Sequence, residues 1–438
     1  MTQALPTAKS DKNYRLRAAI GSPVGLWAQI RNPSGELSWV LAGKLGLIGS
    51  NAAVMLFLAN RLELTTYGLL VITISGQLLI SRLLMVGVDA GMVRLTAIHE
   101  LRGRSQAVVG AGLVVMACTS GALLAIWFLV TPVLSHFAVS RGVVACIVAG
   151  AIGTSLVDYA YSFRLARQEY PLAALAQGGT AIWRLGLTVL AVVKLPGYPF
   201  AVFIAYHGAS LLSGLFQTLL IARIAERPDR ALTKKLIGYS FWLGKANVIV
   251  IFSLYQGTFL LMALKQQTAI GRFGLGLTLS LGFFAVYNAY SEYLSVRIRS
   301  VEHIKDIPRF IKRAVAAAVF LILGSVPIIF VAATLMPWFL GSAWLEVVPI
   351  FAYLSASMLL LILQAPLVAA CHYLLKPKLI TFGWVMRVVL IGIFGIILAP
   401  QFGAIGAAIA QLIGSALALL ALTGLVAGSL RSAINAEA

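Results

Sequence analysis

Residues 314–336 read AVAAAVFLILGSVPIIFVAATLM, a run of 23 residues without a charged side chain. A helix of this length matches the hydrocarbon thickness of a bilayer. The gap before it, residues 292–313, carries six Lys and Arg residues. Long apolar runs and short polar gaps alternate in this way along most of the chain. The pattern predicts an all-α polytopic membrane protein.

We place about twelve transmembrane helices on this pattern. They cover residues 39–61, 67–91, 107–131, 142–163, 170–193, 199–222, 239–264, 270–291, 314–336, 345–368, 379–399 and 405–428. The composition agrees, because 60% of the residues are hydrophobic and only 11% are charged, whereas soluble domains contain about 25% charged residues.

The basic residues predict the orientation. Of the 34 Lys and Arg residues, 24 fall in gaps on the side of the N-terminus, five fall in the opposite gaps and five fall inside spans. Basic residues collect in loops that stay in the cytoplasm, so we expect both termini there. The formal charge of +20 then belongs to loops that face an anionic leaflet, and we expect no nucleic-acid partner.

The spans divide into two sets of six. The predicted units are a flexible basic arm (1–38), an N-terminal lobe (39–222), a cytoplasmic linker (223–238), a C-terminal lobe (239–428) and a tail (429–438). The arm lacks the apolar region of a signal peptide, and a helix on the membrane surface is its alternative. Short matches between the halves, such as Tyr67-Gly68 with Ile270-Gly271, suggest the internal repeat common in transporters.

Charged side chains inside spans are the main candidates for a transport site, because charge at membrane depth is costly and usually faces a cavity or a partner. The substrate-binding candidates are Arg82, Arg184, Arg387, Lys44 and Lys245. Arg82 and Arg184 lie deepest, whereas the two lysines can snorkel to the cytoplasmic interface. The excess of deep positive charge predicts an anionic cargo.

Asp89 and Asp158 are candidates for ion coupling or for structural pairing. Asp89 follows Arg82 by seven residues, so both would project from one helix face, two turns apart and too far for a direct pair. A shared water-facing side and a pair at the inner boundary both remain open for Asp89. Asp158 lies near Arg164 and Arg167, which predicts a structural ion pair.

Two further residue types have a functional and a structural interpretation. Trp384 precedes Arg387 by three residues, and Trp183 adjoins Arg184; these rings could stack on sugars or, as is common, mark the membrane interface. His207 lies in an apolar span, where it is a proton relay or a hydrogen-bonding partner of a neighbouring helix.

Signatures of soluble and metal-dependent enzymes are missing, including HExxH, Walker A and CxxC. The three cysteines, Cys118, Cys146 and Cys371, are too few for a disulfide framework or a metal site. A membrane glycosyltransferase or polymerase would carry a large outward loop, whereas the outward gaps here span about four to ten residues. We therefore expect no enzyme, no cofactor and no metal.

Several motifs recur in a fixed order. LELTTYGLL (62–70) is followed by VGVDAG (86–91), FLGSAW (339–344), KPK (376–378) and QFGAIGAAIA (401–410). With these motifs the chain resembles, over roughly residues 39–428, the polysaccharide and O-antigen flippases (Wzx-type) of the multidrug/oligosaccharidyl-lipid/polysaccharide exporter superfamily.

The resemblance implies a MATE-like fold, in which two six-helix lobes surround a central cavity with alternating access. It implies a multi-pass protein of the bacterial inner membrane that flips an undecaprenyl-diphosphate-linked oligosaccharide from the cytoplasmic to the outer leaflet. The product would serve O-antigen, capsule or exopolysaccharide synthesis. Membrane lipids, a polysaccharide polymerase and a chain-length regulator are the implied partners. An ion-coupled multidrug or metabolite antiporter of the same fold is the alternative, and it requires a buried carboxylate.

For the flippase we expect the diphosphate to enter near the two lysines and to be held by the three arginines. Amide side chains within spans, Gln77, Asn247, Gln256 and Asn288, are candidates for contacts with the sugar. A polar residue within a span more often bonds to a neighbouring helix.

Overall fold

The computed structural model describes residues 34–100, 105–134, 140–167, 169–298, 301, 303–341, 344–374 and 376–437. The helices are α1 (Ser34–Ala59), α2 (Leu64–Met85), α3 (Val88–Glu100), α4 (Ser105–Leu134), α5 (Arg141–Ala166), α6 (Tyr170–Lys194), α7 (Pro199–Ala222), α8 (Arg230–Ala263), α9 (Gln267–Arg297), α10 (Ile307–Leu340), α11 (Val347–Tyr373) and α12 (Pro377–Glu437). A short 3₁₀ turn, Ile304–Asp306, precedes α10. The described residues are thus helical almost throughout, as the apolar pattern predicts.

Ten of the described helices are long and apolar enough to cross a membrane. One of these is α12, whose 61 residues would extend about 90 Å if straight. It bends at Gly403, which has φ 57° and ψ −130°, and its two arms fold against each other. A Cβ on Gly414 would lie 2.6 Å from a side-chain atom of Ile391. With the two arms counted separately and the shorter apolar stretch of α1 included, each predicted span matches a described helix except 67–91, which covers α2 and the first turn of α3.

The helices of each half pack in the same order. In the first half α1 packs on α6, α2 on α5, and α5 on α7. In the second half α8 packs on α12, α9 on α11, and α11 on α12. Arg387 on the first arm of α12 bonds to Ser253 on α8, and Ser415 on the second arm bonds to Ser357 on α11. Both halves therefore pair first with fifth, second with fourth, and fourth with sixth spans, as an internal repeat requires.

The two halves meet along α2, which packs on both α8 and α9. Gly68 of α2 and Gly271 of α9, the glycines of the predicted repeat, face each other at one end. A Cβ on Gly68 would lie 2.4 Å from the carbonyl oxygen of Gln267, and one on Gly271 would lie 2.8 Å from that of Leu64. Small residues permit this approach of the backbones.

Three predicted boundaries differ from the structure. Residues 1–33 of the predicted arm lie outside the described residues, and residues 34–38 belong to α1, which begins at Ser34. Helix α7 ends at Ala222 and helix α8 begins at Arg230. The connection between them is therefore residues 223–229, which is shorter than the predicted linker. The basic gap after α2 contains α3, which extends to Glu100. Polar extensions of helices carry no apolar signal, so the sequence pattern places helix ends too early or too late.

Candidate functional site

Arg82 is the centre of an ion cluster formed by three helices. Its guanidinium lies 3.1 Å from the carboxylate of Asp158 on α5 and 3.6 Å from that of Asp89 on α3. The three side chains are 26%, 17% and 20% exposed, respectively. One cation therefore faces two carboxylates, and the cluster as a whole is not positive.

The predicted separation of Arg82 and Asp89 is wrong. The prediction assumed one continuous helix, but α2 ends at Met85 and the chain turns through Val86 and Gly87, with φ of 47° and 75°. Asp89 therefore belongs to a separate helix that folds back towards Arg82. Glycine is required at position 87 because its backbone is left-handed and because a Cβ there would lie 2.2 Å from the carbonyl oxygen of Ser240.

The predicted ion pair of Asp158 is confirmed, but its partner is a residue distant in the sequence. Asp158 pairs with Arg82 across the α2–α5 contact. Of the nearby arginines, Arg164 donates to the carbonyl oxygen of Leu172 and Arg167 pairs with Glu169.

Arg184 is buried within the first half, with 7% exposure. Its Nη1 donates to Oδ1 of Asn51 on α1 at 2.7 Å, and its Nη2 donates to Oγ of Ser210 on α7 at 2.8 Å. The guanidinium carbon lies 4.7 Å from the centre of the Tyr206 ring. Trp183, predicted as a companion, is 63% exposed and points elsewhere.

Arg387 is buried within the second half, with 1% exposure. Its Nη1 donates to Oγ of Ser253 on α8 at 2.6 Å, and its Nε donates to Oγ of Ser415 on the second arm of α12 at 2.9 Å. Ser357 on α11 lies 3.5 Å from Nη2. The guanidinium lies 5.5 Å from the ring of Trp384, which is buried with 3% exposure, so the spacing of three residues places the two side chains together.

The partners of these two arginines are neutral. Among the described residues, Arg184 and Arg387 form no ion pair; their charges are stabilised by hydroxyl, amide and aromatic groups. Neither guanidinium is in direct ionic contact with a carboxylate of the described residues, so its charge is not cancelled at the site itself. The arrangement can hold positive potential inside both halves of the protein.

The two lysine candidates differ from the arginines. Lys245 is exposed, and its Nζ lies 4.2 Å from the ring of Phe241. Lys44 is half-buried and follows Gly43, where α1 packs closely on α6. Their positions are those of side chains that reach an interface.

The buried polar residues join helices to one another. Nδ1 of His207 lies 2.6 Å from Oε1 of Gln77, and Nε2 lies 2.9 Å from Oγ1 of Thr73. Gln256 donates to the carbonyl oxygen of Val388. For His207, Gln77 and Gln256 the predicted alternative, a bond to a neighbouring helix, is confirmed. Asn247 and Asn288 are half-buried.

Sequence reasoning missed the neutral partners Asn51, Ser210, Ser253 and Ser415. The internal repeat could have indicated two of these partners, Ser210 and Ser415. Ser210 follows Arg184 by 26 residues and Ser415 follows Arg387 by 28, which in both halves places a serine on the next span. The cysteines form no disulfide in the described residues: Cys118 is exposed, and the other two are buried.

Neither a family model nor a curated protein sequence matches the chain. Solved structures do match it over most of their lengths. The chain is similar to the lipid II flippase MurJ in its inward closed conformation, with a TM-score of 0.66 and 13% identity over 89% of this chain and 87% of that one. It is similar to the eukaryotic MATE transporter AtDTX14, with a TM-score of 0.64 and 14% identity over 91% and 98% of the two chains.

A third similar structure is a mutant of the Vibrio cholerae MATE transporter VcmN, with a TM-score of 0.55 and 16% identity over 90% of this chain and 95% of that one. These neighbours are transporters and a flippase of the MATE-like type. The fold of the chain is therefore the MATE-like, all-α fold of a multi-pass membrane protein. At such identities the likeness extends to the fold alone.

Proposed function

We propose that the protein flips an undecaprenyl-diphosphate-linked oligosaccharide from the cytoplasmic to the outer leaflet of the bacterial inner membrane, by alternating access of its two halves. The observation that carries this proposal is the pair of buried arginines with neutral partners, Arg184 and Arg387. A polysaccharide polymerase and a chain-length regulator are the proposed partners downstream.

The charge distribution supports an anionic cargo. Burying a cation in a membrane protein is costly unless it has a partner or a role, and Arg184 and Arg387 form no ion pair with a carboxylate of the described residues. The carboxylates of Asp89 and Asp158 are both directed to Arg82. A diphosphate between the halves would experience an attractive field from both sides.

We assign different roles to the candidate residues. Arg82 is the most exposed of the three arginines, and its planar fork can bind two phosphate oxygens if a carboxylate gives way. Arg184 and Arg387 are too buried for direct contact in this conformation and act through their field. Lys44 and Lys245 are proposed to attract the headgroup at the cytoplasmic surface.

The proposed direction of transport is energetically favourable without ATP. Moving one negative charge outward across an inside-negative membrane releases about 2.3 kcal/mol per 100 mV. The close contact at Gly68 and Gly271 provides a junction between the halves that can separate and close again during the cycle.

An ion-coupled drug or metabolite antiporter is the second candidate, because the MATE neighbours share the fold. Its coupling site would be Asp89 and Asp158. This function requires that a proton or a cation compete with Arg82 for those carboxylates, which the 3.1 Å pair with Asp158 opposes.

The test compares two cargoes in proteoliposomes with an imposed membrane potential. One set contains a fluorescent undecaprenyl-diphosphate oligosaccharide, and the other contains a cationic dye with a proton or sodium gradient. Protein-dependent flipping of the lipid without dye exchange is the expected result. Dye exchange that depends on the ion gradient, with no flipping of the lipid, would contradict the proposal.

A further inference from the structure

A pocket of about 610 Å³ lies between the last turns of α9 and the first turns of α10. Positive-inside patterning places this end of the helices at the cytoplasmic surface. Arg297, Arg309 and Arg313 line the pocket, and Asp306 is the acidic residue among the lining residues that the structure describes. The pocket is separate from the arginines buried inside the two halves.

Two of the three guanidinium groups contact neighbouring side chains. Arg309 lies 3.6 Å from Asp306, and both side chains are well exposed. Arg297 donates to the hydroxyl of Tyr293 at 2.5 Å. Arg313 forms no ion pair with any residue that the structure describes. Three guanidinium groups around one cavity favour a phosphate, which they can bind through charge-assisted, bidentate hydrogen bonds.

The wall of the pocket continues into a lipid-facing track. Arg313, Ala317, Phe320 and Gly324 recur at the spacing of one face of α10. Phe320 is 78% exposed, and nothing lies within 4 Å of the position where a Cβ on Gly324 would stand. The apolar surface of α10 therefore begins where the basic pocket ends, which suits a ligand with a phosphate head and acyl chains.

We propose that this pocket binds the phosphate of an anionic phospholipid of the cytoplasmic leaflet, with its acyl chains along α10. The bound lipid would fix the α9–α10 junction, and α9 is the helix that meets the other half at Gly271. The proposal does not depend on the identity of the transported cargo. A soluble phosphate would use the same guanidinium groups but not the apolar track.

The test counts lipids on the purified full-length protein by native mass spectrometry during titration with phosphatidylglycerol. The pocket variant is Arg309→Gln/Arg313→Gln, and the control is Lys305→Gln/Lys312→Gln, which removes the same charge from exposed residues of the same segment outside the pocket lining. We expect affinity for the first lipid to fall about tenfold or more in the pocket variant and to change less than about twofold in the control.

A second variant, Ala317→Phe, narrows the pocket where it opens onto α10 without changing its charge, and we expect it to weaken the binding of phosphatidylglycerol as well. Equal losses in the arginine and lysine variants would show diffuse attraction and overturn the proposal. Equally tight binding of phosphatidylcholine would also overturn it, because no anion would then be selected. Equally tight binding of inorganic phosphate, measured by isothermal titration, would overturn the assignment to a lipid.

Discussion

Arg184 and Arg387 hold equivalent positions in the two halves of the protein. Each lies on the fifth span of its half and bonds to a polar side chain on the first span and to a serine on the sixth. The same arrangement built twice from different residues indicates a requirement for the charge rather than for one particular bond. It also gives a structural basis for the internal repeat.

The first prediction is that Arg387→Met preserves the fold. Ser253 and Ser415 already donate to carbonyl oxygens of their own helices, so removal of the guanidinium leaves no orphaned donor. Replacing a buried charge by an apolar side chain of similar volume is often neutral or stabilising. We expect the free energy of unfolding to change by less than about 2 kcal/mol.

Arg387→Ala is the matched comparison, because it leaves a cavity and costs about 2–5 kcal/mol. Thermal unfolding in detergent measures both. Equal destabilisation by Met and Ala would show that the guanidinium itself holds the helices together.

The second prediction concerns the cluster around Arg82. Arg82→Ala leaves two carboxylates facing each other without a cation, and loss of one partner of a buried pair costs about 3–5 kcal/mol. Asp158→Asn leaves a balanced pair of Arg82 and Asp89, so we expect a smaller loss. Thermal unfolding of both variants tests this order, and the reverse order would contradict the assigned cluster.

The third prediction is that Gly68→Ala separates the halves at their junction. Its added methyl carbon would lie 2.4 Å from a backbone oxygen of α9, and a backbone cannot move aside as a side chain can. Spin labels on exposed Arg61 and Thr268 should report a longer mean distance. The control is Gly282→Ala on α9, where the added methyl group meets open space, and it should leave the distance between the labels unchanged. An unchanged distance in Gly68→Ala would refute the predicted contact.

The fourth prediction tests the role of His207. A Cβ on Gly150 would lie 2.5 Å from Nδ1 of His207, so Gly150→Ala displaces the ring from Gln77. We expect a loss of about 1–3 kcal/mol in the free energy of unfolding. Gly208→Ala, next to His207 and open on the outside, should be neutral or slightly stabilising. If both variants unfold at the same temperature, His207 does not bridge the helices as described.

Much of the fold follows from the sequence, because span length and apolar composition are properties of single segments. The repeat of Gly68 and Gly271 is also visible in the sequence, and both glycines lie in the first turns of their helices. The break at Val86-Gly87 was not, since no proline marks it and its cause is the close approach of α8. The ion pair of Arg82 with Asp89 therefore escaped prediction.

The surroundings of the arginines show a second limit of sequence reasoning. Depth in a span identifies Arg82 and Arg184 as the deepest cations, but depth does not distinguish a residue that lines a cavity from one that is buried within a lobe. The distinction depends on serines of other spans, Ser210 on the span after Arg184 and Ser253 on the first span of the second half, and serine is common in membrane helices.

The central claim is that positive charge inside both halves attracts an anionic cargo. The most direct test is the initial flipping rate of the fluorescent undecaprenyl-diphosphate oligosaccharide by Arg184→Lys/Arg387→Lys and by Arg184→Met/Arg387→Met, in proteoliposomes with equal amounts of folded protein. We predict that the initial flipping rate of the lysine variant stays within about tenfold of that of the unaltered protein. The rate of the methionine variant should fall about a hundredfold, because the loss of each ionic attraction of about 1.4 kcal/mol lowers a rate about tenfold. Flipping by the methionine variant at the unaltered rate would contradict the central claim.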